Sequence, residues 1–407
     1  MFLSPIEMLA NKYGNVVKYD SDGAVAGIFV RFNKCLSSDL DPSLPAHVHP
    51  AFVVNGVEQD YILLGKYKAG VVESGERLMS LPGVNPINAI TLDALLRRMR
   101  AAGDGISGMT IADQGFIKLL AQKNGWEMYG NVRYGFDNAA GNSAWAADNG
   151  NMTAGAQRVF DGWLYTCLQA HRRTAALQPD IAPTYWRREK FIGGWMHGAM
   201  VDDTYRVPPR TLNGSGPAEW YLGDDEGSMA DLIGSCLEIG YGYRLVGMEL
   251  QIMADNDAAD PEADLSASSS AWKAILPHAG DDGYELVAPG TAGTLHWNVA
   301  GGAIQLDTKC DSPTAGRVNG KFNELTAHPT RLPHVPSIVR ELGLFPTEGD
   351  DTPGNYLARF AEEEYVSSRG GGYATGHGSS GMGTISTLYQ RSYFAANIGG
   401  RPRAMGS

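Results

Sequence analysis

His47 and His49 stand two residues apart, so in an extended segment their imidazoles project from one face and could share an ion. No HExxH or other compact ligand set accompanies them, which favours hydrogen-bonded structural histidines ahead of a hairpin. Two acidic runs, Asp224–Asp225–Glu226 and Asp255–Asn256–Asp257, offer hard oxygens of the kind that hold calcium, but neither has EF-hand spacing. A structural calcium is the only cofactor these runs suggest, and a solvated acidic turn is the plainer expectation. Cys35, Cys167, Cys236 and Cys310 lie too far apart for a CxxC redox pair or a local metal knuckle, so buried free thiols are expected. Cys236, in the apolar run DLIGSCLEI, is expected to fill core. Glycoside hydrolysis needs only a pair of carboxylates, but the 45 acidic residues leave spacing alone nothing to select. Glu238 and Arg244 are better suited to structure, because a buried carboxylate requires a paired cation or several donors. Asn298, after Trp297, is suited to bracing a turn.

The richest binding chemistry lies near the C-terminus. Between Arg369 and Asn397 the chain carries Tyr373, Thr375, His377, Ser379, Ser380, Tyr389, Arg391 and Tyr393. Tyrosine gives large contact area at low entropy cost, while serine and glycine let a loop conform to its partner. Glycines at 370–372, 376, 378, 381 and 383 prevent this stretch from being a continuous core strand. These eight side chains are the candidate ligand contacts, and a solvated loop with a few satisfied tyrosines is the bland alternative.

The elements that must position them can be read from periodicity. AVAGIFVRF alternates like a strand, and AFVVNG with DYILLGKYKAG suggests two strands meeting at an Asn55–Gly56 turn. Leu92, Leu95, Leu96 and Met99 share one helical face behind Thr91 as cap, predicting a helix over 91–102. Thr110 and Asp113 resemble a capping box that opens a second helix, over 110–123, stopped by Asn124–Gly125. Each helix has a single apolar stripe and is expected to lie on a sheet. A further helix near 154–171 is expected, then strands in GYRLVGMELQIM and HWNVAGGAIQLD, with DNDAADPEADLSASSS as an exposed loop. The sum is an α+β fold of short strands, two packed helices and large loops.

The 407 residues, 43% of them hydrophobic, can bury a substantial core, and 51 glycines without a short period indicate many turns. A net charge of −12 argues against nucleic-acid binding, Arg401 and Arg403 being the nearest approach to a basic patch. The start, MFLSPIEMLANKYG, is a poor signal peptide, and no run approaches the length of a membrane span, so accumulation in a cytosol without membrane insertion is expected.

Several separated segments resemble, in order, bacteriophage tail-fibre and receptor-binding proteins with a formylglycine-generating-enzyme-like, C-type-lectin-like domain. HPAFVVNGVEQDYILLGKY at 49–67 is similar to the family's opening strands, and LPGVNPINAITLDALLRRM with MTIADQGFIKLLAQKNGW to its two helices. The most specific match is SMADLIGSCLEIGYGYRLVGMELQIMADNDAA at 228–259. Asp231, Leu232, Gly234 and Glu238 fit the family's D-L-x-G-N-V-x-E-W pattern, whereas Ser235, Cys236 and Ile239 depart from it. SSRGGGYATGHGSSGMGTISTLYQRSYFAANIGGRPRA resembles its closing strands and exposed loop. The resemblance covers 46–405, with 141–209 as an insertion and 1–45 as an N-terminal arm or small subdomain.

The resemblance implies a C-type-lectin-like (sulfatase-modifying-factor-like) fold in a virion protein that adsorbs to a host-cell surface glycan or protein. It implies other virion proteins as partners and a homo-oligomer, commonly a trimer. A capsid decoration or structural tail protein is the second expectation, and a cell-surface glycan hydrolase a minor third. The family's oxidase chemistry needs reactive cysteines late in the domain, and none follows Cys310, so no enzyme activity is expected.

Overall fold

The structure, a computed structural model, describes residues 3–71, 77–139, 143–201, 205–207 and 209–406. Parts of the expected insertion, at 141–142, 202–204 and 208, lie outside the described residues. The fold is α+β, with sheets dominant and helices few.

Helix Ile111–Asn124 begins where Thr110 accepts from the Asp113 amide while the Asp113 carboxylate accepts from the Thr110 amide at 2.8 Å. It ends at Gly125, whose φ of 64° is the left-handed cap that glycine adopts without strain. Helix Leu92–Arg100 is capped by Thr91 and buries Leu92, Leu95, Leu96 and Met99, as the spacing predicts.

The single-stripe expectation fails for Ile111–Asn124, which is buried nearly all round, Asp113, Gln114 and Lys118 included. Its polar members are matched internally: Lys118 with Asp350, Asp113 beside Arg403, and Gln114 donating to the Glu238 carbonyl at 3.1 Å. A helix with such partners can be central without an all-apolar surface. Phe116, Ile117 and Leu119 share one core with Val30, Ile62 and Leu64 from a seven-stranded sheet and with Leu245, Trp297 and Tyr356 from a twelve-stranded one.

In the smaller sheet, Val25–Asn33 pairs with Val16–Tyr19, Tyr61–Gly65 and Met79–Ser80, and the closing strand Pro402–Ala404 lies between Tyr61–Gly65 and Ile106–Gly108. The Asn55–Gly56 turn forms with φ of 52° and 72°, but it joins only Val53–Val54 to Val57–Glu58. Tyr61–Gly65 does not pair back across that turn, as the sequence suggested. Its continuous apolar run Ile62–Leu64 is buried on both faces and takes the central position beside Val25–Asn33.

The larger sheet is organised around Leu237–Val246. The strands expected in GYRLVGMELQIM form as the pair Leu237–Val246 with Glu249–Met253, and HWNVAGGAIQLD, expected as a further strand, folds as the pair His296–Ala300 with Ala303–Asp307. The helix expected near 154–171 is instead a hairpin, Gln157–Phe160 with Trp163–Cys167, extended by Trp186–Phe191. Asp161 and Gly162 take φ of 47° and 78°, so an Asp-Gly turn reverses the chain where a helix is expected. This small sheet has its own cluster of Trp145, Phe160, Tyr165 and Trp186.

Glu238 lies where the C-terminal segment begins and ends. Its strand pairs antiparallel with Arg369 and parallel with Gly399 at this same residue, so 370–398 is an excursion from one flank of Glu238 to the other; within it Ile385–Tyr389 is a strand that pairs antiparallel with Glu364–Arg369 and parallel with Asn355–Phe360. The buried carboxylate meets Lys68 Nζ at 2.6 Å, Arg401 Nε at 3.0 Å and Arg401 Nη2 at 2.7 Å. Burial alone would raise its pKa, but the two cations outweigh that and hold it below the ordinary carboxylate value.

Candidate binding groove

Beyond the Gly125 cap the chain runs without regular secondary structure through Trp126, Glu127, Met128 and Tyr129 into a short strand at Gly130–Asn131. The loop carrying His377 docks on this stretch. Gly376, at φ 81°, donates to the Val132 carbonyl at 3.0 Å, Tyr134 donates to the Tyr373 carbonyl at 2.8 Å, and the His377 amide donates to Asn138 Oδ1 at 2.8 Å. The His377 ring stacks on Tyr129 with centroids 5.3 Å apart, its Nδ1 3.0 Å from Asp137 and its Nε2 3.5 Å from Glu127. Asp137 is buried and also accepts from the Gly130 and Ala139 amides at 3.0 and 2.8 Å. The Tyr129 hydroxyl, hydrogen bonded to Glu127 and surrounded by carboxylates, has its pKa pushed up to about 12.

A groove of about 450 Å³ opens beside this assembly. One wall is Glu127, Tyr129, Asp137 and His377; the other is Lys190, Phe191 and Ile192 from the small sheet, with Glu219 and Trp220. Phe191 stacks at 5.1 Å on Trp195, which is 57% exposed and extends the aromatic surface. On the far side of Glu127 a second hollow of about 240 Å³ is lined by Trp126, Met128, Asp351 and Met382. Aromatic and carboxylate side chains therefore line both hollows, with Lys190 and His377 as the groove's basic groups.

The other expected contact residues fall into different settings. Tyr373 is half-buried and tilted on Tyr134 at 5.8 Å, and the exposed Thr375 accepts from the Gly372 amide at 2.8 Å. Ser379 is partly exposed, whereas Ser380 is buried. Tyr389 and Tyr393 stack on one another at 4.7 Å. Arg391 is held by Glu364 through two 3.0 Å contacts and by Asp93 at 2.7 Å. Glu364 also receives Arg244 Nη1 at 3.0 Å, which gives Arg244 a bracing role. Of the eight residues, His377 alone lines the groove. Its partners Glu127, Tyr129 and Asp137 were not singled out from the sequence; their only signal was an acid between aromatics just past a helix stop.

The remaining chemistry is committed elsewhere. His49 is buried, accepts from the Ala51 amide at 3.2 Å and faces the Glu341 carbonyl at 3.1 Å; burial pushes its pKa down to about 4. His47 meets the buried Glu341 carboxylate at 2.6 Å, a hydrogen bond that raises its pKa. In the acidic runs, Glu226 accepts from the Tyr13 hydroxyl at 2.7 Å, and Asp257 accepts from the Asn55 amide at 2.9 Å. Among the described residues no three His, Cys, Asp or Glu side chains converge as a metal-ligand group. All four cysteines are unpaired; Cys167 and Cys236 are buried, while Cys35 and Cys310 are only half-buried. Burial pushes the Cys236 thiol up to about 11, away from nucleophilic use. Asn298 accepts from the Asp311 amide at 3.0 Å and donates to Asp307 at 3.1 Å, bracing its turn. Among the described residues, no helix is long and apolar enough to cross a membrane.

No family model matches the chain, and a search of curated proteins finds no match.

Proposed function

We propose that the chain is a phage virion protein with a C-type-lectin-like fold that recognises a host-cell surface glycan, seated in the groove beside His377. The observation that carries this is the groove itself. It joins the loop of recognition-type composition to Tyr129 and Phe191, with carboxylates and a lysine at its edges. Aromatic surface suits the CH faces of sugars, and convergent polar groups suit their hydroxyls. Asp137 already accepts two amides and faces His377, so it serves the groove as a fixed support. That commitment favours binding over hydrolysis.

The test compares labelled wild-type protein with a Tyr129→Ala, His377→Ala double variant for binding to a panel of bacterial cells and to arrayed bacterial surface glycans. Truncating a central anchor costs about 2 kcal/mol, so binding should fall about thirtyfold while circular dichroism and melting show the fold retained. Equal binding by a folded variant rejects the groove as the recognition site and favours a decoration role.

A further inference from the structure

His47 and the Asp255–Asn256 turn, both unused by the groove, meet at a separate cavity of about 170 Å³. Its floor is aliphatic, formed by Ile111, Ala112, Ile252 and Leu342. A dry cavity of about 150 Å³ in another protein accepts benzene, so this space fits one six-membered ring. Its polar edge is more specific. Asn256 lines the cavity at 7% exposure, and its Nδ2 has no hydrogen-bond partner among the described residues. An amide donor in that state favours any guest that brings an acceptor.

The donor is held in place. Asp255 and Asn256 take φ of 48° and 51°, and the turn is tied down by Asn55, whose amide donates to Asp257 at 2.9 Å and whose side chain donates to Asp260 at 2.7 Å. Charge restricts the guest further. Asp255 stands exposed at the rim, and the Glu341 carboxylate lies behind His47, engaged with its Nε2 at 2.6 Å. Two carboxylates against one imidazole disfavour an anionic ligand.

We infer that this cavity binds a single-ring aromatic compound bearing a neutral carbonyl group. The ring lies on the aliphatic floor and the carbonyl oxygen accepts from Asn256 Nδ2. The site is independent of the groove.

Calorimetric titration of the full chain with benzamide, benzoate and benzene tests it. Benzamide should bind saturably, and at least tenfold more tightly than benzoate. Asn256→Gly, which removes the donor while tolerating the left-handed backbone, should weaken benzamide at least tenfold and leave benzene unchanged. Ala112→Met, which fills the floor, should weaken both ligands. Melting of each variant confirms folding, and either variant alone suffices. Absence of saturable benzamide binding to wild type overturns the inference, as does benzoate binding equally well. Unchanged benzamide affinity in a folded Asn256→Gly or Ala112→Met protein also overturns it.

Discussion

His377 and Arg391 belong to one glycine- and tyrosine-rich segment, and the fold uses them in opposite ways. His377 leans on Tyr129 and Asp137 at the wall of an open groove. Arg391 is turned inward onto Glu364 and Asp93, with 14% of its side chain exposed. A guanidinium with two carboxylates already in place has few donors left for a ligand. Recognition-loop composition therefore describes two surfaces here. One half of the segment presents groups, and the other half clamps the loop to helix Leu92–Arg100 and strand Glu364–Arg369.

The sharpest way to break this comparison is to remove what both halves hang from. Arg401→Met leaves the buried Glu238 carboxylate with Lys68 alone and removes the guanidinium donors from the Gly65, Lys66 and Ala230 carbonyls. Breaking a buried pair by deleting one partner costs about 3–5 kcal/mol, so chemical denaturation should show a loss of that order. Groove binding and loop order should be lost together. A loss under about 1 kcal/mol would mean that Glu238 is not the anchor of both flanks.

A smaller pair of effects separates the halves. Arg391→Ala should lower stability by about 1–3 kcal/mol, since it leaves the partly buried Glu364 with Arg244 only, while glycan binding stays within twofold of wild type. His377→Ala should do the reverse. Asp137 keeps its two backbone donors, so stability should change by about 1 kcal/mol or less while binding falls. Arg391→Ala abolishing binding without loss of stability would reverse the assignment of the two halves.

Local rules made much of the frame legible. The capping box at Thr110, the stop at Gly125 and the left-handed Asn55–Gly56 turn depend on neighbours in sequence, and each formed within a residue or two of its expected place. The failures were tertiary. Nothing local says that Tyr61–Gly65 pairs with Val25–Asn33, or that Asp113 and Lys118 find partners that let a helix with charged residues sit centrally. The hairpin at 157–167 differs from these, because the Asp161–Gly162 dipeptide that turns it is a local signal that a helix over 154–171 passes over. For the site, composition located the segment but could not divide it. Glu127 and Asp137 reach His377 across more than two hundred residues of chain, and Asp93 is as remote from Arg391. Which donors are committed depends on partners that no window of sequence contains.

The smallest expected effect tests the tyrosines of the inward half. Tyr389 and Tyr393 stack with their planes 15° apart, Tyr389 half-buried and Tyr393 48% exposed. Stacked aromatic pairs contribute about 0.5–1.5 kcal/mol beyond area burial, and the exposure of Tyr393 places its share near the lower end. Tyr393→Ala should therefore lower stability by about 0.5 kcal/mol, leaving glycan binding unchanged. Tyr389→Ala should cost more, because it also opens space beside the core cluster that contains Tyr241 and Val366. Denaturation and binding measured on the same samples separate these outcomes. If Tyr393→Ala weakened binding tenfold with stability intact, Tyr393 would be a contact in its own right, and the inward half would end at Arg391.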